Sequence, residues 1–269
     1  KDKNIIPLSN ALIYTYLPTS FSFGLSFIVN ANFITDAGRQ QIVKDCAWNK
    51  YIFAQIPKSF LKWMAESVAK KYPDWYKVLP PYSKSDNELS EAYSTALKDA
   101  LYSIPFVKAV NSDMVLLQDA LTDNVRLHSA IPSKTFESFV RTNVLNGTNS
   151  FSLVSPEIGE ALQQLYGVAN ITPQHVHIIL EKATDYLKNF TDEETLIFLI
   201  WLKSLSQDLN NDFKRSVSYA SILPDKDSKF VAPVESFFPS EYSDENPDIS
   251  ADAKIIRKSL AGKFSDEMI

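Results

Sequence analysis

Three histidines and one cysteine are the scarce reactive groups of this 269-residue chain. His175 and His177 form the only close histidine pair. On a helix, positions two apart point in different directions, so the two rings chelate one ion poorly. One ring partly buried and one exposed is the expected outcome. His128 stands alone in the sequence. Cys46 would need folding to bring a histidine beside it before it could act as a nucleophile, and it reads as a small packed hydrophobe. The stretch from Asp225 to Ser236 begins like a calcium loop. Phe230 stands where the sharp turn requires Gly, and Ser236 where the last carboxylate ligand belongs, so it reads as a hairpin turn. Glu193 and Glu194 sit in the first turn of a helix, where acids interact favourably with the macrodipole. No G-x-S-x-G occurs, and no Ser–His–Asp set follows from spacing. A hydrolase or metalloenzyme would need a constellation assembled only by tertiary folding.

Phosphate cradles are missing as well. Gly-rich loops need close backbone approach and positive φ, which Gly supplies most readily. The chain has 6 glycines, with no G-x-G and no G-x-x-x-x-G-K-[ST]. A self-contained Rossmann or P-loop site is therefore not expected. No complete catalytic set, no metal site and no cofactor are expected within this chain.

Composition narrows the class further. The chain is 45% hydrophobic, 12% aromatic and 22% charged, which suits a sizeable core in one large or two small domains. A net charge of -5, with no basic run longer than Lys70-Lys71, is a poor footprint for nucleic acid. One cysteine fits a reducing compartment, and no secretory leader opens the chain, so a cytoplasmic location is expected. The apolar run Leu196–Leu202 is far shorter than the roughly 18 residues of a membrane span. The Asn-x-Thr sequons at Asn146, Asn170 and Asn189 then carry no meaning. The start, Lys1-Asp-Lys-Asn-Ile-Ile-Pro7, has no Met and runs into a strand-like segment, and reads as the middle of a longer polypeptide.

Periodicity supplies the elements. Ala11–Leu17 and Gly24–Ile34 read as two antiparallel strands joined by a loop over 19–23. Trp48, Ile52 and Ile56 make a helical stripe, continued by Phe60, Met64, Val68 and Tyr72. Pro57 starts a second helix or kinks one continuous helix. Ser85-Asp-Asn-Glu88 has capping-box spacing before a helix that ends near Ser103. Pro105–Leu121 reads as short strands about Asn111-Ser-Asp113. Ser133 caps a helix ending near Asn146-Gly147. Ser155-Pro156, Thr172-Pro173 and the capping box Thr191-Asp-Glu-Glu194 open helices over 156–166, 173–189 and 192–208. Strand character returns over 217–223 and 230–238, and a polar tail holds a short helix near 251–260.

These elements give an α+β fold: a small N-terminal β-sheet with packed helices, followed by a mainly helical region with added β-hairpins. The expected divisions are a strand-helix domain over 1–82, a helix and hairpin module over 83–150, a helical region with a second hairpin over 151–242, and an acidic tail over 243–269. The two hairpins echo each other. Met114–Leu121 aligns without gaps to Phe230–Phe237, with Asp119 and Glu235 in the same place, and Ile104-Pro105 and Leu223-Pro224 precede them. Chance similarity of two hairpins is the plain alternative; a repeat would imply a modular, extended protein.

One stretch is more specific. It comprises Tyr14-Thr-Tyr-Leu-Pro-Thr19, Phe23-Gly-Leu-Ser-Phe-Ile-Val-Asn-Ala-Asn-Phe-Ile34, Gly38-Arg39 and Trp48-Asn49. It resembles the region after the ATP-binding domain in sacsin and related bacterial proteins of the GHKL superfamily (gyrase, heat-shock chaperone, histidine kinase, MutL). The resemblance covers roughly residues 11–70. That family has Ser before the Arg, where this chain has Gly38. The resemblance implies a non-catalytic coupling region of a chaperone-type ATPase, with ATP and Mg held by a domain upstream in the same polypeptide and protein clients as further partners. It implies that Arg39 contacts the γ-phosphate, a role that suits the fixed fork of a guanidinium. The residues leave other fates open: Arg39 pairs with Asp36 or Asp45, or faces solvent. Trp48 is expected in the core and Asn49 on nearby backbone. The rival reading is a protein-interaction scaffold unrelated to nucleotide. Neither reading includes nucleic acid or a membrane.

Overall fold

The computed structural model describes residues 4–9, 11–83, 87–145, 150–208, 211–237, 253–261 and 263. The fold is mixed α+β, as the patterning implied. The strands are β1 (Leu12–Thr15), β2 (Leu17–Ser22), β3 (Val29–Asn30), β4 (Val107–Lys108), β5 (Met114–Val115), β6 (Ala120–Asp123), β7 (Ser152–Leu153), β8 (Ala169–Ile171), β9 (Leu223–Pro224) and β10 (Phe230–Val231). The helices are α1 (Ala47–Trp63), α2 (Ala69–Lys71), α3 (Glu88–Ser103), α4 (Ser133–Asn143), α5 (Pro156–Tyr166), α6 (Pro173–Glu181), α7 (Ala183–Leu187), α8 (Asp192–Asp208), α9 (Asn211–Tyr219) and α10 (Lys258–Ala261). They form two compact units. One comprises 1–122 and 150–170, the other 123–149 and 171–269.

The first unit begins with a tight hairpin. β1 and β2 pair antiparallel, Leu12 opposite Ser22 and Thr15 opposite Leu17, and the chain reverses at Tyr16 with φ +64°. β3 then joins β1 in parallel, Ile13 opposite Val29. This corrects the antiparallel pair expected from 11–17 and 24–34, because residues 19–22 of the supposed loop 19–23 belong to β2. Pro18 lies inside β2. It sits on an edge strand, where no ladder donor is needed, so it is tolerated. The buried Thr19 hydroxyl donates to the Ile13 carbonyl at 2.7 Å.

α1 runs through Pro57 without stopping and passes by a π-turn at Met64–Val68 into α2. Its buried face is Asn49, Phe53, Ile56, Pro57, Phe60 and Leu61, packed along α3. Phe23 meets Phe53 and Tyr93 at ring centroid distances of 4.7 and 5.0 Å, and Phe27 stacks on Phe60 at 3.8 Å. Full burial of one such ring stabilises by about 1.5–3 kcal/mol. α3 is capped by Asn87, whose Oδ1 accepts from the N–H groups of Leu89 and Ser90; the proposed cap Ser85 lies outside the described residues. α5 lies directly on β6. A Cβ at Gly159 would come within 2.2 Å of the Thr122 hydroxyl oxygen, so only glycine permits that approach.

The hairpin echo is a structural repeat. β4 pairs β5 as β9 pairs β10, Val107 opposite Val115 and Leu223 opposite Val231. Ser112 and Ser228 hold corresponding left-handed positions, φ +72° and +64°. The bond from Ala109 N–H to Asp113 O recurs from Asp225 to Lys229, and that from Ser112 to Ala109 recurs from Ser228 to Asp225. A 3-10 turn follows in each, Leu117–Asp119 and Pro233–Glu235. A distant segment then joins in parallel, Leu121 opposite Leu153 and Phe237 opposite Ile255. The correspondence shifts one reading. Val107, not Ile104, matches Leu223, so the two Ile/Leu–Pro pairs are not equivalent.

In the second unit Trp201 Nε1 donates to the Val125 carbonyl at 2.6 Å and its ring lies 5.6 Å from that of Phe198; Val176, Leu187, Leu202 and Phe213 are also buried in this unit. The Thr191–Glu194 box forms: Thr191 N–H donates to Glu194 Oε2 at 2.8 Å, and Glu194 N–H to the Thr191 hydroxyl at 3.2 Å. Ser155 caps α5 in the first unit as expected. Ser133 does not cap α4 but is its first residue. The expected helix 173–189 is split after Glu181 into α6 and α7. Residues 217–219 are helical rather than extended, because Phe213 anchors α9 in the core against His177. The acidic stretch 243–252 lies outside the described residues. The described part after it is tied to α8, where Arg257 Nη1 donates to Asp192 Oδ1 at 2.8 Å.

Candidate functional site: the Arg39 turn

Residues 34–43 form a small hairpin whose tip is Arg39. Val43 N–H donates to Ile34 O at 3.1 Å, and Thr35 bridges Ile42. Asp36 closes the turn. Its N–H donates to Gln41 O, its carbonyl accepts from Arg39 N–H, and its Oδ1 accepts from Gln40 N–H at 2.9 Å and Gln41 N–H at 3.2 Å. An Asp that bonds backbone a few residues on is a strong turn former. The left-handed residue is Arg39 itself, φ +56°, and not Gly38. That conformation costs an L-residue about 1–2 kcal/mol. It persists because the surrounding bonds over-determine it. A Cβ at Gly38 would lie 3.9 Å from the Asp36 carboxylate, an ordinary contact, so Ser or Gly suits this place equally.

The base of the hairpin is clamped by one side chain. Asn49 is fully buried on α1. Its Oδ1 accepts from Ile34 N–H at 2.8 Å, and its Nδ2 donates to Ile34 O at 2.7 Å and Val43 O at 2.8 Å. The role expected for Asn49 is thus present, with three bonds. Trp48 departs from expectation. It is 48% exposed, donates from Nε1 to Asn32 O at 2.7 Å, and stacks on Tyr51 at 5.8 Å. The inward face of α1 is centred on Asn49 and Phe53, which turns Trp48 to the side. A buried polar residue concealed the true face in the sequence.

The Arg39 side chain is exposed and has no hydrogen-bond or ion-pair partner among the described residues. Pairing with Asp36 or Asp45 does not occur, and the Asp36 Oδ1 is spent on backbone. The arrangement therefore presents an unpaired guanidinium on a rigid turn, available to an anion.

The other candidates fall elsewhere. His175 is consumed by capping: Thr172 N–H donates to its Nδ1 at 3.1 Å, and burial lowers its pKa. His177 packs edge-on against Phe213 at 5.3 Å. Asp225 Oδ1 accepts from Asp227 and Lys229 N–H groups within its hairpin turn. Cys46 is half-buried just before α1. His128 is not alone. Asp123 Oδ2 accepts from its backbone N–H at 2.8 Å and lies 2.8 Å from its Nδ1, while the ring is 44% exposed. The signal for this pair was an acid five residues upstream. No described side chain bonds the other ring nitrogen, so no nucleophile completes a triad. No group of three or more His, Cys, Asp or Glu side chains is placed to hold a metal ion among the described residues.

No described helix is long and apolar enough to cross a membrane. The chain matches no family model, no curated protein and no solved structure.

Proposed function

We propose that this chain is a coupling region of a larger GHKL-type, chaperone-like ATPase acting in the cytoplasm, and that Arg39 reaches the γ-phosphate of ATP held with Mg by a domain upstream in the same polypeptide. One observation carries the reading. Arg39 stands unpaired and exposed at the tip of a turn that Asp36 and Asn49 hold rigid. A guanidinium held in place before the nucleotide arrives costs little reorganisation when charge develops on the phosphate. Asn49 acts as a positioning residue, since it touches only the backbone at the base of the turn. Exposed Ile28, Trp48, Tyr51 and Trp63 in the same unit offer apolar surface to a neighbouring domain.

The test is ATP turnover by the longer polypeptide that carries the nucleotide domain, with nucleotide binding measured alongside. Arg39→Ala is expected to lower kcat by about 10²-fold or more with binding roughly retained, and Arg39→Lys to recover part of the loss. Unchanged turnover in Arg39→Ala would sink the phosphate role. The second reading is a protein-interaction scaffold with no link to nucleotide. The same exposed aromatics favour it, and absence of any ATP turnover in the longer polypeptide would select it.

A further inference from the structure

In the second unit α6 and α9 pack against each other, and the last turns of both line one cavity of about 350 Å³. Its surface is more polar than apolar. His177 and Glu181 stand one turn apart on the same face of α6. Thr184 joins from α7, and Ser216, Tyr219 and Ser221 from α9 and the residues just after it. Glu181 is exposed and has no ionic partner among the described residues. The Ser216 hydroxyl donates to the Asp212 carbonyl at 3.0 Å, which leaves its oxygen as an acceptor. No lysine or arginine is in the lining; Arg215 lies outside it, over the Tyr219 ring at 5.9 Å.

These features select a cation. Helix C-termini carry partial negative charge on their orphan carbonyls, and Glu181 adds a carboxylate. A metal ion is not the match. His177 and Glu181 are two ligands, and no third His, Cys, Asp or Glu joins them among the described residues. An ammonium is a compact charge with three donors, which one carboxylate and neutral oxygens satisfy. At a water's share of about 30 Å³, the cavity takes roughly a dozen such groups, the size of a monosaccharide. We propose that it binds a small hydroxylated primary amine of the amino-sugar class. The ammonium pairs with Glu181 and the Ser216 oxygen. The ligand hydroxyls meet Thr184, Ser221 and the His177 ring, and its apolar face lies on Tyr219. The site uses neither Arg39 nor nucleotide, so it stands or falls apart from the phosphate role.

The probe is glucosamine, with glucose as the neutral counterpart in which a hydroxyl replaces the ammonium. Each is titrated into this chain and followed by the amide chemical shifts of Ser216, Tyr219 and Ser221. Saturable shifts are expected for glucosamine with Kd of roughly 0.1–5 mM, as suits a ligand of a dozen heavy atoms. Glucose should bind at least about 10-fold more weakly. Glu181→Gln, at an exposed position, keeps the shape and removes the charge. It is expected to weaken glucosamine at least about 10-fold and to leave the affinity for glucose unchanged. Absence of saturable shifts up to about 50 mM overturns the proposal. So does equal affinity for the two sugars, or glucosamine binding that Glu181→Gln leaves unchanged.

Discussion

The hairpins at 107–119 and 223–235 share a backbone and differ in what covers them. Both turn through a left-handed Ser and both end in a 3-10 turn. The side chains that cap the two turns stand at different places. Asn111 Oδ1 accepts from Asp113 N–H in the first, and Asp225 Oδ1 accepts from Asp227 and Lys229 in the second. Just beyond, Leu121 is fully buried while its counterpart Phe237 is 62% exposed. Turn geometry here follows from loop length and one unusual φ, which several side chains can satisfy. Burial follows from what the rest of the chain brings alongside, and that is not shared.

The largest effect should expose this difference. Leu121→Ala removes a fully buried side chain and is expected to cost about 2–5 kcal/mol in urea unfolding. Phe237→Ala should stay within about 0.5 kcal/mol. Equal costs would mean that Phe237 is covered in solution and that the two hairpins are alike in packing as well as backbone. A smaller effect tests what they share. Ser112→Gly and Ser228→Gly each remove a left-handed L-residue, a cost of about 1–2 kcal/mol, against about 0.5–1 kcal/mol for the greater freedom of Gly unfolded. Each should stabilise by a few tenths to about 1 kcal/mol, and by similar amounts. Opposite signs would show that the turns differ after all.

The smallest effect is acid loosening of the second hairpin alone. Arg257 joins Asp192 to the Ser228 turn, donating to the Ser228 hydroxyl at 3.0 Å. The Ser259 hydroxyl, and then the Arg257 guanidinium, hold the Asp192 carboxyl below its ordinary value of 3.8 in spite of its burial. With the folded pKa depressed, this stabilisation is present above about 3.8 and is lost as pH falls through the folded value. Amide protection factors should therefore fall in 223–231 before 107–115 as pH drops below about 3.8. Asp192→Asn should remove the difference, and protection that falls equally in both would count against the Arg257 link.

Much of the local structure was legible because its causes are local. The Thr191–Glu194 box, the Ser155-Pro156 start and the Asp225 turn each depend on groups within a few residues, and each forms. The gapless match of Met114–Leu121 to Phe230–Phe237 pointed to the repeat for the same reason. The misreadings of strand pairing and of the inward face of α1 involve partners far along the chain. β1 takes β3 in parallel because the β1–β2 hairpin has already filled its other side. Trp48 turns outward because Asn49, polar yet wholly buried, finds its partners at Ile34 and Val43.

For the candidate site, the sequence determined residue type and local turn. Asp36 three places before Arg39 is enough to make a tight reversal there. Tertiary structure decided the rest. It left the guanidinium unpaired, and it recruited a buried amide from α1 to brace the base of the turn. It also built each compact unit from two separated stretches of chain, 1–122 with 150–170 and 123–149 with 171–269. The physical reason is range. Capping and turn bonds close within one or two turns of backbone, where composition alone selects them. Burial, pairing partner and side-chain isolation depend on which distant surfaces meet, and a linear pattern of apolar residues is compatible with several such meetings.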